Sequence, residues 1–485
     1  MTAIQKKQHV FDEVKHTLRM IEGILEVLVL SGVYYYIWDM FYRESGFQYG
    51  GMGKYILLGI YAALIVVIFY LCDSFKFGHL KLGDVVVSQC ISMLVVNAIT
   101  YFQLCLIANH MIKPYAILAL TGCDCLISLI LVYIYTWIYH RNYVPRNMVM
   151  IYGNDSAVNL KFKMDTRRDK YRVTKVINIK RGDVFIKEEI NKHDAVIIND
   201  VPSPVSNDIL KYCYRRGIRT YVVPKISDII TRGAEDITLF DTPLLLVKGT
   251  GLSIVQRFFK RVFDLTLCLI AMIPAAPIML LVALAIKLED HGPVFYRQKR
   301  VTLNGREFDI LKFRSMIVDA EKGGYNMDMR ANGKDPRITK VGNFIRACRI
   351  DELPQILNII KGDMSIVGPR PERIENVEEY SKEIPEFRNR LKVKGGLTGY
   401  AQIYGKYNTS AYDKVRLDLM YIENYSLFLD IKLIFMTLQI LVKPESTEGF
   451  DKVIELEKMK DELLADEEVA ATLSYKKHWE IGEMK

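Results

Sequence analysis

The chain has 485 residues, too many for one ordinary hydrophobic core, and its length predicts two or three domains. Half of its residues are hydrophobic, yet a quarter are charged, a mixture typical of membrane spans joined to soluble domains. The net charge of +9 favours contact with anionic lipid or phosphate ligands, but no nucleic-acid-binding motif accompanies it. The eight cysteines include no CxxC pair and predict neither a zinc site nor a disulfide framework.

Four apolar runs open the chain, and each is long enough to cross a bilayer as a helix. They cover roughly residues 20–41, 53–72, 83–109 and 115–139. Lys and Arg residues precede the first run, separate the second from the third, and follow the fourth. The positive-inside rule therefore places both ends of this predicted bundle in the cytoplasm.

One carboxylate, Asp124, lies inside the fourth run. An ionisable group at membrane depth indicates a functional site by default. The alternative is a polar contact between helices, with Asn97 or Gln103 as the partner.

A soluble βα pattern follows the four runs. Strands are predicted at 148–152, 171–177, 195–198 and 220–223, with a helix near 206–216. This order resembles half of a doubly wound nucleotide-binding sheet. The loop after the first strand keeps only one of the three glycines that allow a backbone to approach a pyrophosphate. A structural or regulatory module is therefore favoured over dinucleotide binding.

The apolar run from Leu265 to Ile286 has two prolines, Pro274 and Pro277, near its middle. A proline removes a helix hydrogen bond and clashes with the preceding turn, so a kink or break is expected here. Both flanks of the run are basic, which favours a re-entrant hairpin, at about 262–287, over an ordinary kinked span.

Three charged residues, Lys260, Arg261 and Asp264, stand where this hairpin would begin. They could pair with one another, or the basic pair could hold a lipid headgroup. A structural role is favoured.

Adjacent carboxylates at Asp351 and Glu352 stand close in sequence to three arginines, Arg346, Arg349 and Arg370. An acidic pair can hold a hard cation, and guanidinium groups can hold phosphate oxygens. Arg370 lies between two prolines, which would fix the direction of its side chain. The alternative is structural, with Asp351 as the N-cap of a helix from Glu352 to Lys361 and a turn at the prolines.

From about Arg257 to Lys443 the chain resembles the bacterial sugar transferases, the monotopic polyprenyl-phosphate phosphoglycosyl transferases. The resemblance is carried, in chain order, by Lys260–Asp264, the proline-containing apolar run, Pro293–Gln298, Lys312–Met316, Asp335–Thr339, Arg349–Gln355, Lys361–Pro371 and Gly396–Gln402. The four-span bundle and degenerate sheet resemble the long polytopic members, which initiate exopolysaccharide or capsule synthesis. One departure is Gly395, where such proteins usually have proline, and it could loosen the loop.

The resemblance implies a two-step reaction. Asp351 would attack the β-phosphate of a UDP-sugar, expel UMP and carry the phosphosugar, which undecaprenyl phosphate would then accept. Mg²⁺ would be held by Asp351 and the substrate phosphates. Glu352 would act as a base toward the lipid phosphate or orient the site.

The same resemblance assigns the phosphate contacts. Arg346, Arg349 and Arg370 would hold phosphate oxygens, and Lys312 and Arg314 are weaker candidates for the nucleotide side.

The predicted architecture is an α-helical membrane bundle plus α/β domains. The four segments are a transmembrane domain at 1–144, a Rossmann-like domain at 145–250, a catalytic domain at 251–448 and a charged tail at 449–485. The resemblance places the protein in a bacterial plasma membrane, with the catalytic domain cytoplasmic and a homodimer plausible.

Three other functions stay open. A direct lipid-linked glycosyltransferase often carries an Asp-x-Asp metal motif, which this chain lacks. A transporter or membrane sensor would bind its ligand within the spans, where Asp124 is the one residue singled out. An inactive relative could serve as a scaffold of polysaccharide assembly, but the acidic pair and Arg370 argue against it.

Overall fold

A computed structural model describes residues 3–41, 52–78, 80–142, 145–154, 156–318, 337–405 and 409–442. The chain divides into two compact units, Met1–Pro224 and Lys225–Thr447. The second unit thus begins before the predicted boundary at 250. The predicted tail at 449–485 and the first two residues of the Asp335–Thr339 motif lie outside the described residues.

The first unit opens with four long helices. They are α1 (Ala3–Phe41), α2 (Gly53–Leu71), α3 (Leu82–Ala108) and α4 (Tyr115–Asn142). All four are long and apolar enough to cross a membrane, and each keeps a large share of its apolar side chains exposed. The four predicted spans are therefore confirmed as helices, although α1 begins at Ala3, well before the predicted start near residue 20.

The carboxylate of Asp124 takes part in a contact between helices. Asn97 donates to its Oδ2 at 2.8 Å and Tyr61 donates to the same oxygen at 3.3 Å. Asp124 is fully buried, so these bonds offset part of the cost of removing a carboxyl group from water. Of the two partners proposed for an interhelical contact, Asn97 is confirmed.

The rest of the first unit is a parallel sheet with its helices. Its elements are β1 (Arg146–Tyr152), α5 (Ser156–Asp165), β2 (Tyr171–Asn178), α6 (Asp183–Asn191), β3 (Ala195–Asn199), α7 (Ser203–Arg215) and β4 (Arg219–Val222). The strand order is β2-β1-β3-β4 and all pairs are parallel, so the predicted α/β pattern of this segment is confirmed.

The single glycine of the degenerate loop has a packing role. A side chain at Gly153 would place its Cβ 2.3 Å from the backbone oxygen of Asp200. The glycine thus permits close contact between two loops of the protein itself, which is the structural alternative given above.

The second unit contains one long helix, α9 (Ile254–Asp290). Its elements are α8 (Ile226–Arg232), β5 (Glu235–Leu239), β6 (Thr242–Leu246), α9 (Ile254–Asp290), β7 (Phe295–Val301), β8 (Glu307–Phe313), α10 (Lys340–Ala347), α11 (Gln355–Lys361), β9 (Ser365–Val367), α12 (Ile374–Glu383), β10 (Gly396–Thr398), α13 (Tyr400–Tyr404), α14 (Ala411–Glu423) and α15 (Leu427–Val442). The strand pairs β5–β6 and β7–β8 are antiparallel, and β9–β10 is parallel.

The proline-containing run forms α9, and of the kink or break expected at its prolines, a break is not found. Helical structure continues through Pro274 and Pro277. An interior proline costs a helix about 3 kcal/mol, and burial of Cys268, Ala275 and Val282 against the soluble domain offsets it. Its other face exposes large apolar side chains, as a helix in contact with lipid would. Re-entry into the membrane stays a prediction.

The charged residues at the start of α9 anchor it to the soluble domain. Lys260 forms a buried ion pair of 2.6 Å with Asp430 of α15. Arg261 donates to the carbonyl oxygens at the end of α11, where such groups lack helical partners. Asp264 accepts a 2.7 Å hydrogen bond from Ser365. The three residues pair with the domain and not with each other, which supports the structural role.

Candidate active site

The adjacent carboxylates lie on a tight turn between two helices. Ile350–Glu352 forms a single 3₁₀ turn, and α11 begins only at Gln355. Arg349, just before the turn, has φ 54° and ψ 21°. This left-handed conformation is unfavourable for residues other than glycine, and such backbone strain often accompanies functional sites. The turn places Asp351 before the helix and not at its N-cap, which Pro354 occupies.

Glu352 is bound by two cations from different parts of the domain. Its Oε1 accepts hydrogen bonds from Lys312 at 2.8 Å and from Arg370 at 2.7 Å. Burial would raise the pKa of Glu352, but the charges and hydrogen bonds of Arg370 and Lys312 outweigh burial and lower it to about 2. Glu352 is therefore ionised, and it orients both cations.

Asp351 is half-buried beside this cluster. Among the described residues, none donates a side-chain hydrogen bond to its carboxylate or pairs with it. Burial raises the pKa of Asp351, and the Glu352 charge adds to the effect, while Lys312 and Arg346 oppose it. The adjacent carboxylates thus differ in character, one bound by cations and the other available to a ligand.

The other predicted phosphate-binding residues divide into two groups. Arg346, on α10, is exposed and close enough for its charge to act on Asp351. Arg349 is also exposed, one residue before the turn. Arg314 is buried in an ion pair with Asp290 at the end of α9. The structure thus gives Arg314 a structural partner.

The segment Pro369–Pro371 is held through its backbone. Arg390 donates to the carbonyl oxygen of Arg370 at 3.0 Å, and Arg300 donates to that of Pro371 at 3.1 Å. The backbone that carries Arg370 is therefore fixed on both sides, and its guanidinium pairs with Glu352.

Sequence reasoning missed the residue that holds this segment. Arg390 is buried and pairs with Asp418 of α14 at 2.7 Å. A signal for it was present, because Asp418 falls on the buried stripe of α14 with Val415, Leu419 and Ile422. A carboxylate in an apolar stripe indicates a buried cation partner.

Gly395, the departure from the family pattern, is tightly packed. Its N–H donates to the buried hydroxyl of Thr302 at 3.0 Å. A Cβ at this position would lie 3.0 Å from Cβ of Pro371. The loosening considered from the sequence is therefore not found, and Gly395 contacts the segment that carries Arg370.

We expect Gly395→Pro to lower the midpoint of thermal unfolding, because one buried hydrogen bond is lost and Pro371 is displaced. Gly395→Ala keeps the N–H and adds only the Cβ, so its loss of stability should be smaller. Calorimetric unfolding of both variants beside the wild-type protein measures the difference. A wild-type midpoint in Gly395→Pro would mean that neither the hydrogen bond to Thr302 nor the contact with Pro371 contributes to stability.

The chain is similar to known proteins, and their names agree with the geometry of this site. The family described as bacterial sugar transferase matches residues 255–444. An Aeromonas hydrophila protein named UDP-N-acetylgalactosamine-undecaprenyl-phosphate N-acetylgalactosaminephosphotransferase is 37% identical over 52% of this chain and 59% of its own. A Caulobacter vibrioides protein named UDP-glucose:undecaprenyl-phosphate glucose-1-phosphate transferase is 41% identical over 39% of this chain and 71% of its own.

An Escherichia coli K12 protein with the same name as the Caulobacter protein is 40% identical over 42% of this chain and 43% of its own. The chain spans about half the length of most of these curated relatives, between 43% and 61% of the first four. The family match lies within the second unit, where the acidic pair is.

Proposed function

The chain belongs to the bacterial sugar transferase family, and on that premise we propose that it transfers a sugar 1-phosphate from a UDP-sugar to undecaprenyl phosphate. The products would be undecaprenyl diphosphate-sugar and UMP. The single observation that carries this proposal is the available, half-buried carboxylate of Asp351 beside a Glu352 bound by Lys312 and Arg370.

In the first step, an oxygen of Asp351 forms a bond to the β-phosphorus of the UDP-sugar. The bond from that phosphorus to the oxygen bridging the two phosphates breaks, and UMP leaves. A carboxylate is a weak nucleophile, and its raised pKa makes it a stronger one. Arg370 and Lys312 supply fixed positive charge for the phosphate oxygens.

In the second step, a phosphate oxygen of the lipid attacks the same phosphorus. The bond to Asp351 breaks, which regenerates the carboxylate and forms the diphosphate link to the lipid. With a pKa of about 2, Glu352 is a poor base. The proposal therefore gives Glu352 the role of orienting Arg370 and Lys312, the second of the two roles considered for it.

The donor set also suits a divalent cation. Mg²⁺ binds proteins through one or two carboxylates together with substrate phosphates. Asp351 has a carboxylate without a partner among the described side chains, whereas Glu352 is already bound by two cations. We propose Asp351 as the protein ligand. The ion would neutralise charge on the diphosphate.

The membrane setting completes the proposal. Helix α9 exposes a long apolar face, and four further helices can span a bilayer. We propose a bacterial inner-membrane protein with the second unit in the cytoplasm, where UDP-sugars are found, and a role in starting a surface polysaccharide. The relatives named above act on UDP-glucose or UDP-N-acetylgalactosamine, which supports a UDP-sugar donor.

The test is a product assay. Purified full-length protein is mixed with Mg²⁺, undecaprenyl phosphate and one UDP-sugar at a time, and the nucleotide product is identified. UMP is expected with at least one donor. Release of UDP would instead establish direct glycosyl transfer, and no product with any donor would favour a scaffold.

A further inference from the structure

One buried side chain covers an edge of the strand that carries Lys312. This strand, β8, belongs to a two-stranded sheet, and β7 pairs with one of its edges. On the other edge, Asn358 of α11 donates from its amide nitrogen to the carbonyl oxygen of Asp309 at 2.8 Å. Its amide oxygen accepts from the N–H of Leu311 at 2.9 Å. Asn358 is 3% exposed, so both hydrogen bonds are shielded from water.

The Asn358 amide takes the place of a peptide group in a third strand. An unpaired strand edge presents a C=O and an N–H at every second residue, and a neighbouring strand would bond to both. The amide bonds to such a pair, at Asp309 and Leu311. Because hydrogen bonds are directional, the two bonds fix how far along its own axis β8 lies against α11.

Apolar packing fixes which face of β8 meets α11, but it does not fix the register. Phe308 and Ile310 are buried in one cluster with Ile356 of α11. Side chains two residues apart lie on the same face of a strand, so Lys312 is next in this row. Apolar contacts have no direction and tolerate a slide along the strand, whereas the two bonds of Asn358 do not.

The register matters because Lys312 follows directly after Leu311. Its Nζ donates to Oε1 of Glu352 at 2.8 Å. Glu352 belongs to the turn that leads into α11, so Asn358 and Glu352 lie in one continuous stretch of chain. A slide of β8 by one residue would move Lys312 by about 3.3 Å. Such a displacement is more than a hydrogen bond tolerates.

We propose that Asn358 is a positioning residue of the active site: its amide sets the register of β8 against α11 and so holds Lys312 on Glu352. The inference rests on the proposed function, in which Lys312 supplies positive charge for the phosphate oxygens of the donor. The role of Asn358 is indirect, because both ends of its amide bond to the backbone of β8. The alternative is an amide that stabilises the fold without affecting the position of Lys312.

The first test is a double-mutant cycle on the UMP burst. Full-length protein in detergent is mixed rapidly with Mg²⁺ and either UDP-glucose or UDP-N-acetylgalactosamine, without the lipid, and the burst rate constant is recorded. Asn358→Leu removes both hydrogen bonds, and we expect it to slow the burst by about tenfold or more. In a Lys312→Met background the same change should cost less than about twofold, because the group that Asn358 positions is already absent.

Two further variants control for stability. Ile359→Val removes one methyl group from a fully buried side chain of the same helix. It should lower the melting temperature and leave the burst close to that of wild type. Asn358→Ala leaves room for a water that can bridge the two backbone groups, so it serves in the same cycle if Asn358→Leu does not fold. Thermal unfolding of every variant is measured beside its burst.

Two kinetic results would overturn the proposal. One is a wild-type burst rate in a folded Asn358 variant. The other is an equal fold-loss in the wild-type and Lys312→Met backgrounds, which would show that the amide acts on stability or through another group.

Melting temperatures test the same coupling without the reaction. If the wild-type protein releases no UMP from any donor, the proposed function fails, and this second cycle decides the role of Asn358. Lys312→Met should lower the melting temperature less in an Asn358→Leu background than in wild type, because Lys312 is then already displaced from Glu352. Equal losses in the two backgrounds would contradict the positioning of Lys312 by Asn358.

Discussion

Asp351→Asn is expected to reduce UMP release by at least about a thousandfold, because the amide cannot form the proposed phosphosugar intermediate. The fold should be retained, since no described side chain pairs with this carboxylate. The measurement is UMP formed per enzyme with and without undecaprenyl phosphate. Without the lipid, wild type should release a burst of about one UMP per active site, and the variant none.

The matched control is Asp309→Asn, on the same strand as Lys312. Its side chain is exposed, and the contacts of Asp309 with Asn358 and with strand β7 are made through its backbone. We expect wild-type rates from it. A covalent phosphosugar on protein labelled with radioactive donor would report the intermediate directly. Labelling that persists in Asp351→Asn would assign the nucleophile to another residue.

The sequence predicted those parts of the fold that local patterns determine. The four spans are visible because each is a long apolar run, and β1 to β4 because short apolar runs alternate with polar segments. The prolines of α9 do not break the helix, because their local cost is offset by packing on the rest of the second unit. Contacts such as those of Cys268 and Ala275 are formed with residues distant in sequence, and no local pattern reports them.

The sequence predicted which residues form the candidate site better than it predicted how they contact one another. Motifs identified Asp351, Glu352, Arg370 and Lys312, and the structure brings the last three into one cluster. Their different roles could not be read from the chain, because the pKa of each carboxylate depends on burial and on which cations reach it. Lys312 comes from β8, a separate element, to bind Glu352 and not Asp351.

The support behind Arg370 was missed for the same reason. Arg390 stands in a stretch rich in basic residues and reads as a surface charge. Its burial depends on Asp418, which follows 28 residues later. The chain from Asp418 through Arg390 to the Arg370 carbonyl oxygen places a buried ion pair behind the site. Such a pair positions Arg370 without contacting substrate.

Glu352→Gln should separate orientation from base catalysis. The amide loses the charge that holds Arg370 and Lys312, so we expect UMP release to fall by about a hundredfold. If Glu352 only orients these cations, both half-reactions should suffer, because both use the same phosphate-binding groups. A base acting on the lipid phosphate would leave the first half-reaction, the UMP burst, unchanged. Burst kinetics without lipid and turnover with lipid distinguish the two roles.

The pH dependence of kcat/KM tests the role of Glu352 independently. Glu352, with a pKa of about 2, below the ordinary 4.5, stays ionised above pH 4.5 and contributes no acidic limb there. Asp351 must be ionised to attack, and its raised pKa places the acidic limb of kcat/KM for the UDP-sugar above the usual range of an aspartate.

In Glu352→Gln a negative neighbour is removed, so the pKa of Asp351 falls and the limb moves to lower pH. Burial, the larger cause, is unchanged, so part of the elevation remains. A limb that disappears in the variant would instead identify Glu352 as the titrating group. A shift to higher pH would contradict the placement of the two carboxylates, since it requires their charges not to repel.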